Sequence, residues 1–588
     1  MKILLTCLAG LFFFAGSASA TPENLKTQAE ESGFQRTGRY EEVPRLCQAF
    51  VERWPQYCAT STFGTTPEGR PMQVLVASQT GALTPEQARA SGIPVLLIQG
   101  GIHSGEIDGK DAGFLALRQL LESDGLRQVV IVFVPVFNVD GHERFGRYNR
   151  PNQVGPEEMG WRVTSQNLNL NRDYTKAEAP EMQAMLGLLN RWDPALYVDL
   201  HVTDGAEFQP EIANLIEPIF IGDPNLQPLG KALQKDVNRR LSEQGCLALD
   251  FYPSLRNPQD PASGFSDSAY TPRFSTGYWA LHNRLSMLVE THSWKDYARR
   301  VELTRKTILA LVELANRDGV GWVQAEAAAD RSALLLGGQT IALSHKNTDH
   351  HRDIYFPGYA YTKAPSQISG DPAALSYDSK KPEIWKIPFY DEVVPDRTSQ
   401  APRGGYLVPA GQAELVAAKL KVHNIRYRVL EKGLSARPLE AFRADSSEFS
   451  KRSFEGRQTL NVQGKWRTEQ QSLPPGSLWV PIAQPNSRLL LALLEPTAPD
   501  SLLSWGFFNA YFEQKEYMEE YVAEAVGKEM MARRPEIAAE FLQKLASDPE
   551  FAKNPEARLD FFYRHHPSYD QRFNLYPVLR SAEVLPEN

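Results

Sequence analysis

The sequence predicts an α/β domain with a mixed, mostly parallel sheet flanked by helices, followed by a smaller region that is β-rich and then helical. Apolar runs alternate with amphipathic stretches from Thr21 to about Gly321. The runs are apolar at almost every position, as in strands that are covered on both faces of a sheet. After Gly321 the chain changes to short alternating segments rich in Pro, Gly and Ser, which favours a separate β-rich region.

The elements follow in chain order. Buried strands are predicted at Met72–Ala77, Val95–Ile98, Val129–Val136, Ala195–Leu200 and Leu285–Val289. Helices are predicted at Gly113–Leu121, Glu181–Leu189, Leu229–Leu241 and Val301–Ala315. In the second half, short strands are predicted at Gly405–Val408 and Tyr427–Leu430, and a mostly helical stretch at Tyr511–Leu545 that Pro535 breaks.

The first twenty residues have the pattern of a cleaved signal peptide. Lys2 precedes the apolar run Ile3–Ala15, and Ala18-Ser19-Ala20 supplies a small-x-small cleavage site. The run is shorter than the roughly 20 apolar residues that span a bilayer, so a permanent anchor is disfavoured. The predicted organisation is a signal peptide at 1–20, a first domain at 21–325 and an accessory region at 326–588, in an exported protein that is periplasmic or secreted and leaves the membrane after cleavage.

Composition and charge limit the classes of partner and metal site that the sequence favours. The 588 residues carry 63 Lys and Arg against 71 Asp and Glu, for a net charge of −8. Without a strong basic field, nucleic acid is not a favoured partner. After cleavage Cys47, Cys58 and Cys246 remain, and the sequence fixes neither their pairing nor the oligomeric state. No Cys pair has zinc-site spacing, so a metal would need His and carboxylate ligands.

Ligand-type side chains follow three of the predicted strands. His103 and Glu106 lie in the glycine-flanked loop after Val95–Ile98, His201 follows the next strand, and Glu290 ends a third. Ligands of open α/β sheets bind at the carboxyl ends of strands. Two His and one Glu form an established catalytic zinc set with an open fourth position, and a further carboxylate can act there as general base. Arg162 and Arg172 lie between these motifs and supply guanidinium groups suited to carboxylates and oxyanions.

The chain resembles the M14 family of zinc carboxypeptidases, which are carboxypeptidase A-like metallopeptidases. The shared order is H-x-x-E, an N-x-D-G turn at 138–141, W-R at 161–162, N-R at 171–172, a strand-end His and a strand-end Glu. The segment 63–70, FGTTPEGR, also resembles an early family motif. The resemblance covers about residues 35–320.

The resemblance implies a role for each matching residue. His103, Glu106 and His201 would bind one Zn²⁺ ion, and Glu290 would be the general base that acts on zinc-activated water. Arg162 would polarise the scissile carbonyl and hold the oxyanion, and Asn171 and Arg172 would bind the terminal carboxylate of a peptide substrate. The implied activity is hydrolysis of C-terminal peptide bonds.

Two positions depart from the family pattern. Asn169 stands where the family often has an Asp that orients a metal-bound His, and an amide should raise the basicity of that ligand less than a carboxylate. The mobile Tyr that caps the substrate is either Tyr270 or Tyr278, and side-chain preference stays open.

Other interpretations remain at this stage. The same metal site would serve a deacylase or amidase acting on acyl-amino acids or cell-wall peptides, and a catalytically silent protein could bind peptides. The histidine pairs at 350–351 and 565–566 follow no buried strand, so we expect no metal there. His142 is a candidate for the cleft lining and His292 for a supporting position beside Glu290.

Overall fold

The computed structural model describes residues 22–586, so the predicted signal peptide at 1–20 lies outside the described residues. The described chain divides into two compact units. Unit 1 holds the described residues up to 270 together with Phe274–Ala329 and Asn347–Val393. Unit 2 holds Thr271–Arg273, Asp330–Lys346 and the described residues from Val394 onward. Residues 347–393, which the predicted division places in the accessory region, thus group with unit 1.

The first part of the chain alternates strands and helices. Its strands are β1 (Cys58–Thr65), β2 (Pro71–Ala77), β3 (Val95–Gly100), β4 (Val130–Val134), β5 (Leu196–Thr203), β6 (Ile212–Glu217), β7 (Ala248–Leu249), β8 (Phe265–Ser266) and β9 (Leu285–His292). Its helices are α1 (Gln28–Glu31), α2 (Glu42–Arg53), α3 (Pro85–Ser91), α4 (Asp108–Glu122), α5 (Val139–Glu143), α6 (Pro180–Trp192), α7 (Gln227–Glu243), α8 (Ser275–Ala280) and α9 (Tyr297–Ala333).

The later part of the chain contains more strands than helices. Its strands are β10 (Thr340–Ala342), β11 (His345–Asn347), β12 (Arg352–Ala364), β13 (Ala374–Tyr390), β14 (Val393–Pro395), β15 (Thr398–Gln400), β16 (Gly405–Val408), β17 (Arg428–Val429), β18 (Leu434–Phe449), β19 (Leu460–Leu473), β20 (Leu478–Pro481) and β21 (Leu579–Ser581). Its helices are α10 (Ala410–Val422), α11 (Ser487–Leu494), α12 (Glu520–Arg533), α13 (Pro535–Ser547), α14 (Pro549–Lys553) and α15 (Pro555–Arg564).

An eight-stranded mixed sheet forms the centre of unit 1, in the order β1-β2-β4-β3-β5-β9-β6-β7. Its four central strands, β4, β3, β5 and β9, are parallel, which confirms the predicted fold class. Each of these four strands is buried along its whole length, as expected for strands whose sequences are mostly apolar. Helix α4 packs closely on this sheet, since a Cβ atom at Gly113 would lie 2.1 Å from the Phe133 ring.

A second sheet of unit 1 is a long hairpin. Strands β12 and β13 pair antiparallel, and β8 joins the outer side of β13. Aromatic side chains of the hairpin pack against the segment that follows β5. Their core contains Phe208, Phe251, Phe265, Phe356, Trp385 and Phe389. The hairpin is therefore attached to the segment that leaves the central strand β5.

Unit 2 is a six-stranded sheet with helices, in the order β17-β20-β16-β21-β18-β19. Helix α10 was not expected, because its 13 residues lie inside a stretch whose Pro, Gly and Ser content favours strands and turns. The helical stretch predicted from Tyr511 is wrong at its start, since α12 begins at Glu520. The break at Pro535 is confirmed, because α13 restarts there with Pro in its first turn.

The structure also shows the state of the cysteines and the length of the apolar helices. Cys47, Cys58 and Cys246 are buried and unpaired among the described residues. None of the helices between residues 22 and 586 is both long and apolar enough to cross a bilayer.

Candidate active site

The site lies at one edge of the central sheet, where three strands deliver polar side chains. β3 leads into the loop that carries His103 and Glu106, and α4 begins two residues after Glu106. β5 pairs in parallel with both β3 and β9, and in this register His201 lies beside Glu290. Parallel strands end at the same edge of a sheet, so residues distant in sequence meet there.

His103, Glu106 and His201 form a tight buried triangle. Their potential ligand atoms all lie within 4.8 Å of one another. Nδ1 of His103 is 3.1 Å from Oε1 of Glu106, and Nδ1 of His201 is 3.0 Å from Oε2 of the same carboxylate. Among residues 22–586 these are the only three His, Cys, Asp or Glu side chains with this metal-binding spacing. Two imidazoles and a carboxylate are the donor set that zinc takes in catalytic sites.

Hydrogen-bond partners behind the histidines fix which nitrogen faces the triangle. Nε2 of His103 is 3.1 Å from Oδ1 of Asn169, so the amide takes the place expected for it. Nε2 of His201 is 3.0 Å from Oδ2 of Asp199. Each ring therefore directs Nδ1 towards the Glu106 carboxylate. This arrangement fits a metal ion held by the two Nδ1 atoms and Glu106.

Sequence reasoning missed Asp199. It precedes His201 by two residues on the same strand, so both side chains point to the same face of the sheet, and this spacing could have identified it. Asp199 also accepts hydrogen bonds from Ser275 at 2.6 Å and Gln99 at 2.8 Å. These donors hold the carboxylate in place behind the histidine.

Burial and charge set the protonation of the triangle. Burial lowers the pKa of His103 to about 4, which keeps this ring neutral and able to act as a ligand. Burial acts to raise the pKa of Glu106, but His103 and Arg150 beside it hold that pKa well below its usual value. Burial acts to lower the pKa of His201, but the adjacent Asp199 carboxylate raises it well above the ordinary value. Metal binding at His201 would therefore release a proton from the ring.

Glu290 is a further acidic side chain at this edge, beside His201. It is 7% exposed, and its Oε2 atom has no hydrogen-bond partner among the described residues. Burial raises the pKa of Glu290 to about 8, against the opposing effect of His201. A carboxyl group with a pKa near neutrality can both accept and return a proton, as a general base and acid must.

The predicted substrate-binding side chains lie around the triangle. Arg162 is partly exposed, and its Nη1 is 3.5 Å from Oε1 of Glu106. The guanidinium of Arg172 stacks over the Phe274 ring at 4.5 Å and donates to the carbonyl of Asn171 at 2.7 Å. The backbone N–H of Asn171 donates to Oδ1 of Asn169, which links this turn to the partner of His103.

Arg150, a further arginine at the site in addition to Arg162 and Arg172, was not predicted from the sequence. Its side chain is 8% exposed and its Nη2 is 3.1 Å from Oε1 of Glu106. Nothing in the local sequence distinguishes it from a surface arginine, because its contacts are to residues more than 40 positions away. Only the folded loop brings it to the metal-binding carboxylate.

The structure separates the two tyrosine candidates. Tyr278 is 1% exposed and packs against the Tyr174 ring in the core, which leaves no room for a capping movement. Tyr270 is half-buried in the segment before α8. Burial, together with the nearby Tyr252, raises the pKa of the Tyr270 phenol well above its usual value, and Glu290 is close enough to add to this effect. Tyr270 is thus the candidate beside the site.

The histidines that were alternative candidates have other surroundings. His142 is fully buried and does not line a cleft, since its Nε2 bonds the Gly38 carbonyl. His292 bonds the Ala206 carbonyl at 2.9 Å and packs on the Phe208 ring. His350 and His351 are exposed, and His565 bonds the Phe561 carbonyl. None of them belongs to the metal-binding group.

The chain is similar in sequence to proteins named carboxypeptidases. Residues 43–210 match the family model described as zinc carboxypeptidase. The chain is 24% identical over 459 residues to a carboxypeptidase 2 of Trichophyton rubrum, covering 75% of this chain and 78% of the relative, and equally similar to that of Trichophyton equinum. Among solved structures, a putative carboxypeptidase A of Shewanella denitrificans shares 17% identity over 47% of this chain and 69% of that chain, with a TM-score of 0.37. The carboxypeptidase A of Helicoverpa armigera shares 17% identity over 50% and 75% of the two chains, with a TM-score of 0.34.

Proposed function

We propose that the chain carries a domain of the zinc carboxypeptidase family and is an exported peptide hydrolase that removes C-terminal residues from peptides with one zinc ion, which the match of residues 43–210 to the family model supports. One observation carries the proposal. Three buried ligand groups converge within 4.8 Å, and a buried carboxylate with an unpaired oxygen lies beside them. In the register of β5 and β9 this carboxylate lies next to the ligand His201, where a general base is needed.

Separate residues of the site would bind the metal and transfer the proton. Zinc, when bound, supplies a Lewis acid that activates water and polarises a carbonyl group. His103, His201 and Glu106 would hold it. Glu290 accepts the proton of the attacking water and returns it to the leaving amine, a task that suits its place beside His201 and its unpartnered Oε2 atom in the described chain.

The arginines act on the substrate. Arg162 reaches the site from the solvent side and stabilises the negative charge that develops on the scissile carbonyl oxygen. Arg172 and Asn171 bind the free carboxylate of the substrate, which selects the last peptide bond. Stacking on Phe274 holds the Arg172 guanidinium in a fixed plane, as bidentate recognition requires.

Peptides with free and amidated C-termini test the exopeptidase assignment. Arg172→Ala should lower kcat/KM for the free peptide by roughly 10–100-fold, because a charged hydrogen bond is lost, and should affect the amide far less. Arg127→Ala, at an exposed arginine paired with Asp124, is the matched control and should change neither.

The same assay separates the alternatives. A chelator should abolish hydrolysis and zinc should restore it. Equal losses on both peptides would contradict the exopeptidase proposal, and preferential cleavage of acyl-amino acids would favour a deacylase. Absence of any chelator-sensitive hydrolysis would favour a silent binding protein.

Export is a separate part of the proposal. It is supported by the charged start, short apolar run and small-residue site of residues 1–20. Mass spectrometry of the mature protein should find a chain that begins at Thr21, and retention of residues 1–20 would contradict it.

A further inference from the structure

Arg150 lies in a buried position against the metal-binding carboxylate. Its Nη2 is 3.1 Å from Oε1 of Glu106 and 3.6 Å from Oδ1 of Asp204. Its Nε atom is buried without a hydrogen-bond partner in the described chain. A guanidinium that is 8% exposed costs free energy to bury unless charge and hydrogen bonds compensate, so this contact needs an explanation.

The loop that carries the ligands is shaped around this arginine. A Cβ atom at Gly105, next to Glu106, would lie 2.4 Å from Cγ and 2.9 Å from Cδ of Arg150. Any side chain at position 105 would therefore displace the arginine. Because Gly105 has no side chain, the Arg150 side chain can pack directly against the backbone of this loop.

The segment after Arg150 is fastened to the same loop. Nε2 of Gln153 donates to the Gly105 carbonyl at 3.0 Å. The buried Arg300 donates to the carbonyls of Val154 and Gly155, and its Nε donates to Asp108 at 2.9 Å. Arg150 is thus held in place by contacts from two sides.

The two oxygens of Glu106 are contacted from outside the triangle. Oε1 faces Arg150, and Oε2 accepts the backbone N–H of Val202 at 3.0 Å. Arg162 also approaches Oε1, but at 3.5 Å and with 38% of its side chain exposed. Arg150 is the buried cation of the pair, so its field at the carboxylate is screened less by water.

We propose that Arg150 is a positioning residue that fixes the Glu106 carboxylate and withdraws negative charge from it, so that a bound zinc ion keeps a stronger Lewis acidity. This inference rests on the proposed function of the site. A carboxylate that shares its charge with a guanidinium is a weaker donor to a metal, and the nearby positive charge also opposes the cation. In this arrangement zinc would bind less tightly, but it would activate a bound water or carbonyl group more strongly.

The proposal predicts an unusual combination. Because the positive charge of Arg150 opposes a bound cation, Arg150→Met should bind zinc about tenfold more tightly than the wild type, and its kcat should be about tenfold lower. Loss of a merely structural ion pair would loosen the loop and weaken zinc binding instead. Arg150→Lys keeps the charge and should keep zinc affinity close to that of the wild type.

Zinc affinity is measured on the full chain by competition with a chromogenic chelator, alongside kcat and thermal stability. Arg299→Met is the matched control, since Arg299 makes a two-bond ion pair with Glu211 at 2.8 Å and contacts no metal ligand. It should lower stability without changing zinc affinity. Should Arg150→Met fail to fold, Arg150→Gln replaces it with the same expectation.

The outcomes separate this inference from the proposed function. Weaker or unchanged zinc binding in Arg150→Met or Arg150→Gln, in a chain that hydrolyses peptides, would overturn the role of Arg150 alone. Tighter zinc binding in a chain without peptidase activity would support the charge effect at Glu106 and contradict the proposed substrate.

Discussion

Each unit buries a charged cluster, and the two clusters differ in how completely their hydrogen bonds are satisfied. In unit 2, Glu495 is 1% exposed and Arg580 is 4% exposed. Oε1 of Glu495 accepts hydrogen bonds from Tyr406 and from Nε of Arg580, and Oε2 accepts from Ser399 at 2.9 Å. Nη2 of Arg580 donates to Ser399 at 2.7 Å, and the guanidinium stacks on the Trp466 ring. We call Ser399, Tyr406, Glu495 and Arg580 the Glu495 cluster.

The site in unit 1 is left incomplete by comparison. In the described chain, Oε2 of Glu290 is buried without a hydrogen-bond partner, and Nδ1 of His103 faces the Glu106 carboxylate at 3.1 Å. Buried polar atoms are nearly always satisfied in folded proteins, so unpaired ones at a convergent set of ligands indicate a missing partner. Burial of charge therefore does not identify a functional site, whereas unused bonding capacity at the point of convergence does.

The largest expected effect is the loss of activity on substitution of Glu290 in the site of unit 1. Glu290→Gln should lower kcat by roughly 10²–10⁴-fold, because an amide cannot accept the proton of the attacking water. Zinc content and affinity should stay close to wild type, since Glu290 is not one of the three grouped ligands. Steady-state kinetics with metal analysis measure both, and ordinary turnover in this variant would remove Glu290 from the mechanism.

A substitution in the Glu495 cluster should lower the free energy of unfolding and leave zinc binding unchanged. Glu495→Ala leaves the buried Arg580 charge uncompensated and should cost about 3–5 kcal/mol in the free energy of unfolding. Zinc affinity of the folded protein should not change, because no member of the Glu495 cluster belongs to the metal-binding group. The double variant Glu495→Ala/Arg580→Met should recover part of the lost stability. Denaturant unfolding checks this, and a cost below 1 kcal/mol would mean that the cluster contributes little.

Sequence patterns were informative where a feature is local. The central strands follow from apolar runs, and His201 and Glu290 could be found because each comes directly after such a run. In the structure both residues lie within strands that continue to Thr203 and His292. The supporting contacts are not local. Arg150 reaches Glu106 only through the folded loop, and Gly105 has a visible purpose only when Arg150 is in place.

The second half shows the other limit of sequence reasoning. The helical composition of Tyr511–Leu545 does not determine where a helix begins, and the charged residues before Glu520 remain outside α12. The buried residues of α12 and α13 contribute to one apolar cluster with Phe551, Phe561 and Phe562. Packing of this kind decides helix limits and cannot be seen in a propensity pattern.

The smallest expected effect compares the two metal-binding histidines with each other. His201 is supported by the Asp199 carboxylate and His103 by the neutral Asn169 amide, at 3.0 and 3.1 Å. Asn169→Asp should make His103 the more basic ligand and tighten zinc binding by a few-fold, at the low end of the ~10–100-fold effects known for such partners. Asp199→Asn is the reverse variant and should weaken zinc binding by about tenfold. Chelator competition measures both, and a fall in affinity in Asn169→Asp would show that the amide holds His103 by its shape rather than as a weaker acceptor.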